Sequence, residues 1–584
     1  MKVVEVSPIS SKVAKDSLTY FSSKSVRVGD IVSVEVRKKV YDALVVSVRE
    51  AKDLKGDLKR SSFGFKKVLS VKGASPFYTE FFESCQQTRE YFVGNLGQIM
   101  DYFLPTDFLL RYAELPKQKK RKLGNSVLHV VPTILEAEHL YKLLRSDLNN
   151  VFIIHGGLRK KALLERYADI LAHDGPVVVV MTPSFLFIPR HDIGNIVIEH
   201  DASSHWRTIK RPYFDLRVFA KYLAKNLGAT LSYGKGLLSV ETVAGLKDDK
   251  DIDFDIGGVP AKIVDMSDKE NLYKKSFILS KEAFEILKKG GHTFLFALRK
   301  GLATQVICHD CRHVLKDGDA PLTLHTDGDK NIFKNAYTKK ILDTKVRCPD
   351  CGSWNFDSLG IGTDTVNADV KKFFPKRKIF QIDNDVTSSD KKAREVVAEF
   401  YKHENAVLIG TEMAIPYLPK KVDHSVIISM DSLLHIPSYK VLERMLHLSL
   451  AIGGVTEGEF LIQTREPDNI VAKSLKEKDL RTFFLHDLEK RKTFGYPPFS
   501  AVVKLSRLSG KNDPADMKIL MDENLGKWKP NIRRFNRGKF VETSVLIKVP
   551  KESWNENRQD KELSAFLSSL GPDWQIRINP ENLF

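Results

Sequence analysis

Cys308-His309-Asp310-Cys311 and Cys348-Pro349-Asp350-Cys351 contain four of the five cysteines in this 584-residue chain. In each CxxC pair both sulfurs can reach one ion. Two such pairs complete a tetrahedral shell of four thiolates, the closed arrangement of structural zinc. A full shell leaves no open coordination position, so the one expected zinc ion folds its segment and performs no catalysis. The blander alternative is a set of redox or otherwise unrelated thiols. His309, His313 and His325 lie nearby and are read as non-ligands. Cys85 is left over and is expected as a small buried hydrophobe.

On either side of the cysteines the pattern is α/β. A strand over 293–298 runs almost directly into the first pair. After the second pair come helices and strands over 366–374, 378–383, 391–402, 406–409 and 425–430. The cysteine segment is therefore expected as an insertion between one strand of a lobe and its next helix. An earlier lobe repeats the rhythm: strands over 126–131, 151–154, 177–181, 193–198 and 230–233, with helices over 135–148 and 159–172. Such alternation implies a parallel sheet covered by helices. The acidic run 248–255 reads as a surface connection.

Before this lobe, Val32, Val34 and Val36 alternate with polar residues, as do Val46 and Val48, which predicts half-buried strands. Gly29-Asp30 supplies a turn. Residues 76–104 read as one helix whose aromatic face (Phe77, Phe81, Phe82, Tyr91, Phe92) packs in a core rather than stacking on bases. Beyond about Lys490, Gly495-Tyr496-Pro497-Pro498-Phe499 is a rigid turn. Strands over 502–505 and 545–549 then suggest a small α+β domain.

The composition fits a soluble globular protein of roughly four domains. Its net charge of +18 implies a polyanionic partner, most simply nucleic acid. No signal-peptide pattern and no run of ~20 apolar residues is visible, so neither a membrane span nor a membrane partner is expected, and a cytoplasmic location is. Pro116-Lys117-Gln118-Lys119-Lys120-Arg121-Lys122 reads as a linker. Lys119, Lys120 and Arg121 either contact phosphates or form a solvated charge run.

Several colinear strings together resemble the primosomal replication-restart helicase family (primosomal protein N′). His155-Gly156-Gly157-Leu158 is similar to the family's HSGL, and Glu199-His200-Asp201-Ala202-Ser203-Ser204 to the tail of its DEEHDSS. Arg299-Lys300-Gly301 before the first CxxC, Ala320-Pro321-Leu322-Thr323-Leu324-His325, and Cys348-Pro349-Asp350-Cys351-Gly352 match in order. So do Leu359-Gly360-Ile361-Gly362-Thr363, Ile409-Gly410-Thr411-Glu412-Met413 and the Gly495–Phe499 turn. The resemblance runs from about residue 125 to 584. It implies an α/β fold of two RecA-like helicase lobes with an inserted four-cysteine zinc ribbon, an N-terminal β-rich DNA-binding module and a C-terminal α+β domain. Expected boundaries are 1–115 for the N-terminal module, 116–124 for the linker and 125–250 for lobe 1. Lobe 2 takes 251–305 and 354–488 around the zinc insertion 306–353, and the C-terminal domain takes 489–584. Family members carry four CxxC pairs, the outer two sharing one zinc; only those outer pairs remain here.

The resemblance also shows what has changed. The phosphate-cradling GxxxxGK[ST] loop occurs nowhere in the chain, and the usual winged-helix domain before it is missing from the match. Val197 and Ile198 stand where the family's magnesium Asp and first Glu would be. GSAT has become Gly234-Lys235-Gly236-Leu237, and QVAGRAGR has become Ala451-Ile452-Gly453-Gly454-Val455. An arginine finger alone is worth about 10³–10⁵ in rate. ATP and magnesium are therefore expected to go unused, with no catalytic residue, and Glu199, His200 and Asp201 mark a degenerate nucleotide site. For DNA, the family's 3′-end pocket retains Tyr20 and Lys66, while its acid is replaced by Thr19. Arg533, Arg534, Arg537 and Lys539 form a basic string suited to a phosphate backbone. The expected function is a non-catalytic restart protein that binds forked or single-stranded DNA and recruits primosome or helicase-loader proteins. The alternatives are an active 3′-5′ helicase with a divergent nucleotide site, and a zinc-ribbon scaffold for protein partners.

Overall fold

The computed structural model describes residues 2–50, 66–74, 77–104, 124–234, 236–246, 258–273, 278–298, 305–308, 310–311, 313, 315–317, 320–327, 330–335, 341–342, 346–359, 361–383, 389–434, 438–510, 525–537 and 540–583. The basic linker apart from Gly124, the acidic run 248–255, Arg299, Lys300, His309 and Lys539 lie outside them. Contacts divide the chain into two units. One comprises Met1–Leu238, Ser500–Leu505 and Lys548–Asn579; the other comprises Ser239–Phe499, Ser506–Ile547 and Pro580–Phe584.

β1 (Lys2–Pro8), β2 (Leu18–Ser22), β3 (Asp30–Val36), β4 (Lys39–Glu50) and β5 (Ser70–Ala74) form an antiparallel sheet of order β2-β1-β4-β3-β5. Gly29, at φ +91°, makes the turn into β3. The alternation in β3 predicts one wet face, yet Ile31, Val32, Ser33 and Val34 are all buried, so the strand is covered on both faces. The single helix expected over 76–104 is two, Thr79–Phe92 and Leu96–Phe103. Val93 enters the left-handed region at φ 50°, which ends the first. The Asn95 side chain accepts from Gln98 N and caps the second. Their aromatic face is core: the Phe81 ring lies edge-on to Phe103 and Phe219, at 5.7 Å from each, and all three are fully buried.

The first α/β lobe follows in the same unit. β6 (Ser126–Val130), β7 (Val151–Ile154), β8 (Val178–Met181), β9 (Ile193–Ile198) and β10 (Thr230–Tyr233) pair in parallel in the order β10-β9-β6-β8-β7. Near-continuous apolar runs such as Val178–Met181 suit strands covered on both faces. The C-terminal segment docks on this lobe. Lys221 pairs with Glu556 at 3.0 Å, and Tyr222 Oη donates to Glu556 O at 2.7 Å. Arg211 donates to the carbonyls of Pro572 and Trp574, and the Arg577 guanidinium lies 4.3 Å from the Tyr213 ring centroid.

In the second unit β11 (Ala261–Asp265) and β12 (Thr293–Phe296) precede the insertion, which holds β13 (Gln305–Cys308), β14 (Lys316–Asp317), β15 (Ala320–Asp327), β16 (Lys330–Asn335), β17 (Ile341–Leu342) and β18 (Phe356–Leu359). The lobe then resumes with β19 (Lys378–Ile382), β20 (Ala406–Gly410), β21 (Val422–Ile427) and β22 (Thr456–Thr464). Its six-stranded sheet runs β11-β22-β21-β12-β20-β19, parallel at every pairing. The insertion sits between a strand and the next helix, Thr363–Phe373, as the sequence pattern predicts. Near the C-terminus β23 (Ser500–Gly510), β24 (Asn531–Arg537), β25 (Phe540–Pro550) and β28 (Gln575–Ile578) give the sheet order β24-β25-β23-β28, with a short β26 (Trp554–Asn555) and β27 (Arg558–Gln559) pair and the helix Lys561–Ser569 between β25 and β28.

A buried ionic cluster in the second unit had no periodic signal in the sequence. Arg491 meets Glu443 at 2.6 Å, Asp487 at 2.8 Å and Glu241 at 3.2 Å, and donates to Pro497 O. Lys440 adds a contact to Glu241 at 2.7 Å. Three helices, Val240–Val243, Val441–Gly454 and Leu480–Thr493, are thereby tied together. Removing the cation would strand buried carboxylates. Arg491→Leu should therefore cost about 3–5 kcal/mol, read as a lower urea midpoint. Burial holds the Asp487 carboxyl up to about 6, an effect opposed by Arg491 and reinforced by Glu443 and Glu241. The folded state then binds this proton more tightly than the unfolded chain, whose value is near 4. Stability from this group should fall as pH rises from about 4 to 6 and level off above, a slope that Asp487→Asn should remove in denaturant titrations.

Candidate metal centre and nucleic-acid-facing residues

The two CxxC turns are built alike. Cys308 N donates to His313 O and Cys348 N to Ser353 O, each at 2.8 Å, so each knuckle closes on the residue five places on. Gly352 stands at φ +71°, a left-handed position that closes the second turn without Cβ strain. The turns bring the sulfurs together: Cys308 Sγ and Cys351 Sγ are 3.4 Å apart, Cys311 Sγ and Cys348 Sγ 3.5 Å, and all four lie within 4.8 Å of one another. Disulfide sulfurs would stand at about 2.05 Å. Four thiolates about 2.3 Å from one ion lie a little under 4 Å apart, so the observed set fits a single tetrahedral ion. Among the described residues no other group of three or more His, Cys, Asp or Glu side chains gathers this way.

One thiol is lowered and two are raised: against the His313 backbone N–H, burial and the other sulfurs push Cys311 up to about 12, and against the Ser353 backbone N–H the Cys308 thiol raises Cys351. The backbone N–H of Cys311 holds the Cys308 thiol down to about 6, against the cost of burial. His313 is outside the ligand set and instead pairs with Asp350 at 2.6 Å, one knuckle bonded to the other. His325 lies on β15, its side chain outside the described residues. Cys85 is fully buried, and burial raises its thiol pKa well above the ordinary value.

The acidic string sits where β9 ends, at the carboxyl edge of the first lobe's sheet. Glu199 is buried and meets His129 Nδ1 at 2.7 Å. A Cβ on Gly234 would collide with Glu199 Oε2, so this carboxylate fills the space beside the glycine. His200, at φ 48°, pairs with Glu136 at 2.9 Å, and that bond raises the His200 pKa. Glu136 also closes a capping box with Thr133 at the start of the helix Ile134–Asp147. Asp201 is buried against Arg217 at 3.3 Å. All three string residues thus have side-chain partners. Sequence reading missed His129, Glu136 and Arg217, because no spacing rule links residues so far apart in the chain.

In the N-terminal sheet the structure brings Tyr20 and Lys66 to one residue. Tyr20 is buried, and its hydroxyl donates to Glu35 O at 2.9 Å. Lys66 is exposed and pairs with Glu35 Oε1 at 2.6 Å. Thr19 is exposed beside them. The basic string is less compact than its sequence suggests. Arg533 and Arg534 are exposed neighbours on β24, so strand alternation sends them to opposite faces. β24 is an edge strand, where cations also hinder edge-to-edge pairing. The side chain of Arg537, and Lys119, Lys120, Arg121 and Lys539 altogether, lie outside the described residues. No helix among the described residues is long and apolar enough to cross a membrane.

Comparison with known proteins gives three findings. A family model for a 3′DNA-binding domain matches residues 6–105. The replication restart protein PriA of Thermotoga maritima is 26% identical over 84% of this chain and 68% of its own length. Those of Chlamydia trachomatis and Bacillus subtilis are 26% and 24% identical over 66% and 64% of this chain. The chain spans about half the length of these two relatives, 54% and 49%. Among solved structures, Mss116p bound to ssRNA and AMP-PNP overlaps 68% of this chain and 76% of its own at 12% identity and TM-score 0.31. RecG bound to a three-way DNA junction overlaps 76% and 52% at 12% identity and TM-score 0.29.

The metal site has a direct check. Cys308→Ser or Cys351→Ser should reduce bound metal from about one equivalent to near none by elemental analysis. Either change should also open residues 306–353 to protease, since metal binding and folding are coupled. Full metal content in both variants would exclude these ligands.

Proposed function

We propose that this chain, a relative of the replication restart proteins, binds forked or single-stranded DNA and recruits primosome or helicase-loading proteins without hydrolysing ATP. The observation that carries the proposal is the match of residues 6–105 to a 3′DNA-binding domain. Within it, Tyr20 and Lys66 converge on Glu35. In this reading Lys66 exchanges its surface pair with Glu35 for a nucleic-acid phosphate. Exposed ion pairs are worth little, so the exchange is cheap. With Thr19 in place of an acid, nothing at that position bonds a terminal hydroxyl as a carboxylate would, and selectivity for a free 3′ end is reduced. The net charge of +18 favours a polyanionic partner.

The nucleotide side of the proposal rests on lost parts and occupied ones. The phosphate loop sequence is missing, and magnesium-binding carboxylates are replaced by Val197 and Ile198, both buried in β9. Glu199 is turned onto His129, and Asp201 onto Arg217. At the end of the helix Val441–Gly454, residues 451–455 carry no arginine, and Arg444 of that helix is paired with Glu412 at 2.7 Å. Phosphoryl transfer depends on cradle, metal and arginine acting together. In this reading the cysteine cluster binds one zinc ion, which holds the insertion in shape and supplies no chemistry.

Forked DNA should bind more tightly than blunt duplex in gel-shift titrations, with affinity falling steeply between about 50 and 200 mM salt. Lys66→Ala should weaken binding several-fold and reduce the salt slope by about one. Phosphate release from ATP with forked DNA present should stay at background. DNA-stimulated hydrolysis that disappears in Glu199→Gln would instead establish a working motor.

A further inference from the structure

Trp354 stands just past the second CxxC knuckle and is 76% exposed. Its backbone is nevertheless held on both sides. Ser353 O accepts from Cys348 N at 2.8 Å, and Ser353 Oγ accepts from Asn355 N at 3.0 Å. β18 starts two residues later and pairs with β13, the strand that carries Cys308. The result is a large aromatic ring left in solvent beside a hydrogen-bonded turn of the cysteine cluster. Of the five tryptophans, Trp206, Trp554 and Trp574 are buried. Arg347 is exposed on the same knuckle, its guanidinium donating to Gly352 O at 3.2 Å. Asp350, the acid within that knuckle, is already paired with His313.

We propose that Trp354 is a stacking platform for a base of single-stranded DNA, with Arg347 beside it for the adjoining phosphate. An exposed π face on a rigid turn accepts any base without reading its sequence, and each such stack typically contributes affinity that alanine substitution removes. A neighbouring guanidinium supplies the charge. The net charge of +18 makes a polyanion the complementary occupant. The inference rests on the DNA-binding reading above and extends it to a second contact point, outside the N-terminal module.

The test is titration of the metal-loaded 584-residue protein with an oligothymidylate of about 20 nucleotides, a length that spans at least one typical single-strand site, and a blunt duplex of the same length. For the wild type, oligothymidylate should quench tryptophan fluorescence. Trp354→Ala should bind it about tenfold more weakly, with duplex affinity unchanged, and Trp354→Phe should retain most of the affinity while losing most of the quench. Arg347→Ala should weaken binding a few-fold and reduce the salt slope by about one. Metal content shows that the knuckle has kept its fold, and if the alanine variant loses metal, the phenylalanine variant's quench decides. If the wild type binds and Trp354→Ala with full metal binds equally well, the stacking role is overturned, the DNA-binding reading survives, and the ring is assigned to a protein contact. If the wild type binds neither oligonucleotide, the DNA-binding reading fails and takes this inference with it.

Discussion

Four sulfur atoms within 4.8 Å of one another gather the two ends of the insertion at one point. The core of the insertion consists of Val306, Cys308, Leu315, Leu322, Phe333 and Cys348, with Leu342, Val346 and Phe356 packed against it. Two of those six buried side chains, Cys308 and Cys348, belong to the sulfur cluster. A metal clip is the usual remedy for small domains that cannot bury enough apolar surface. β13 leads into the first knuckle, β18 leaves the second and the two strands pair antiparallel, so the strand pair and the sulfur cluster together join the two ends of the insertion. Trp354 follows the second of these turns, which closes through Cys348 N to Ser353 O.

The two parallel sheets obey a different rule. Strands such as Ala406–Gly410 are buried throughout, so helices must cover both faces, and the chain alternates to supply them. Polar groups collect at strand ends. In the first lobe that place is taken by Glu199, His129, His200, Glu136, Asp201 and Arg217, joined by their own hydrogen bonds and ion pairs. The cluster contributes cohesion to the lobe, much as the Arg491 cluster does in the second unit.

Much of this was legible in the chain. The CxxC spacing gave the cluster of four sulfurs, the apolar runs gave both parallel sheets, and the order of strand, insertion and helix placed the insertion in its lobe. These signals are local: periodicity and spacing depend on neighbours a few residues apart. The single helix expected over 76–104 failed for a local reason too subtle for periodicity, a left-handed Val93 followed by an Asn95 cap. The alternation of β3 suggested a wet face because a covering layer cannot be seen from the strand it covers.

What the sequence determined by itself was the identity of the chemistry: thiolates in paired knuckles, a phosphate loop sequence missing, cations in excess. Tertiary structure alone decided which of those groups remain available. Tyr20 and Lys66 meet at Glu35 across strands, Glu199 is turned onto His129 from 70 residues away, and Arg533 and Arg534 diverge by strand alternation. Trp354 is left bare. The reason is physical: a side chain's type is written in the chain, but its partners are set by packing, which joins residues that no sequence window contains.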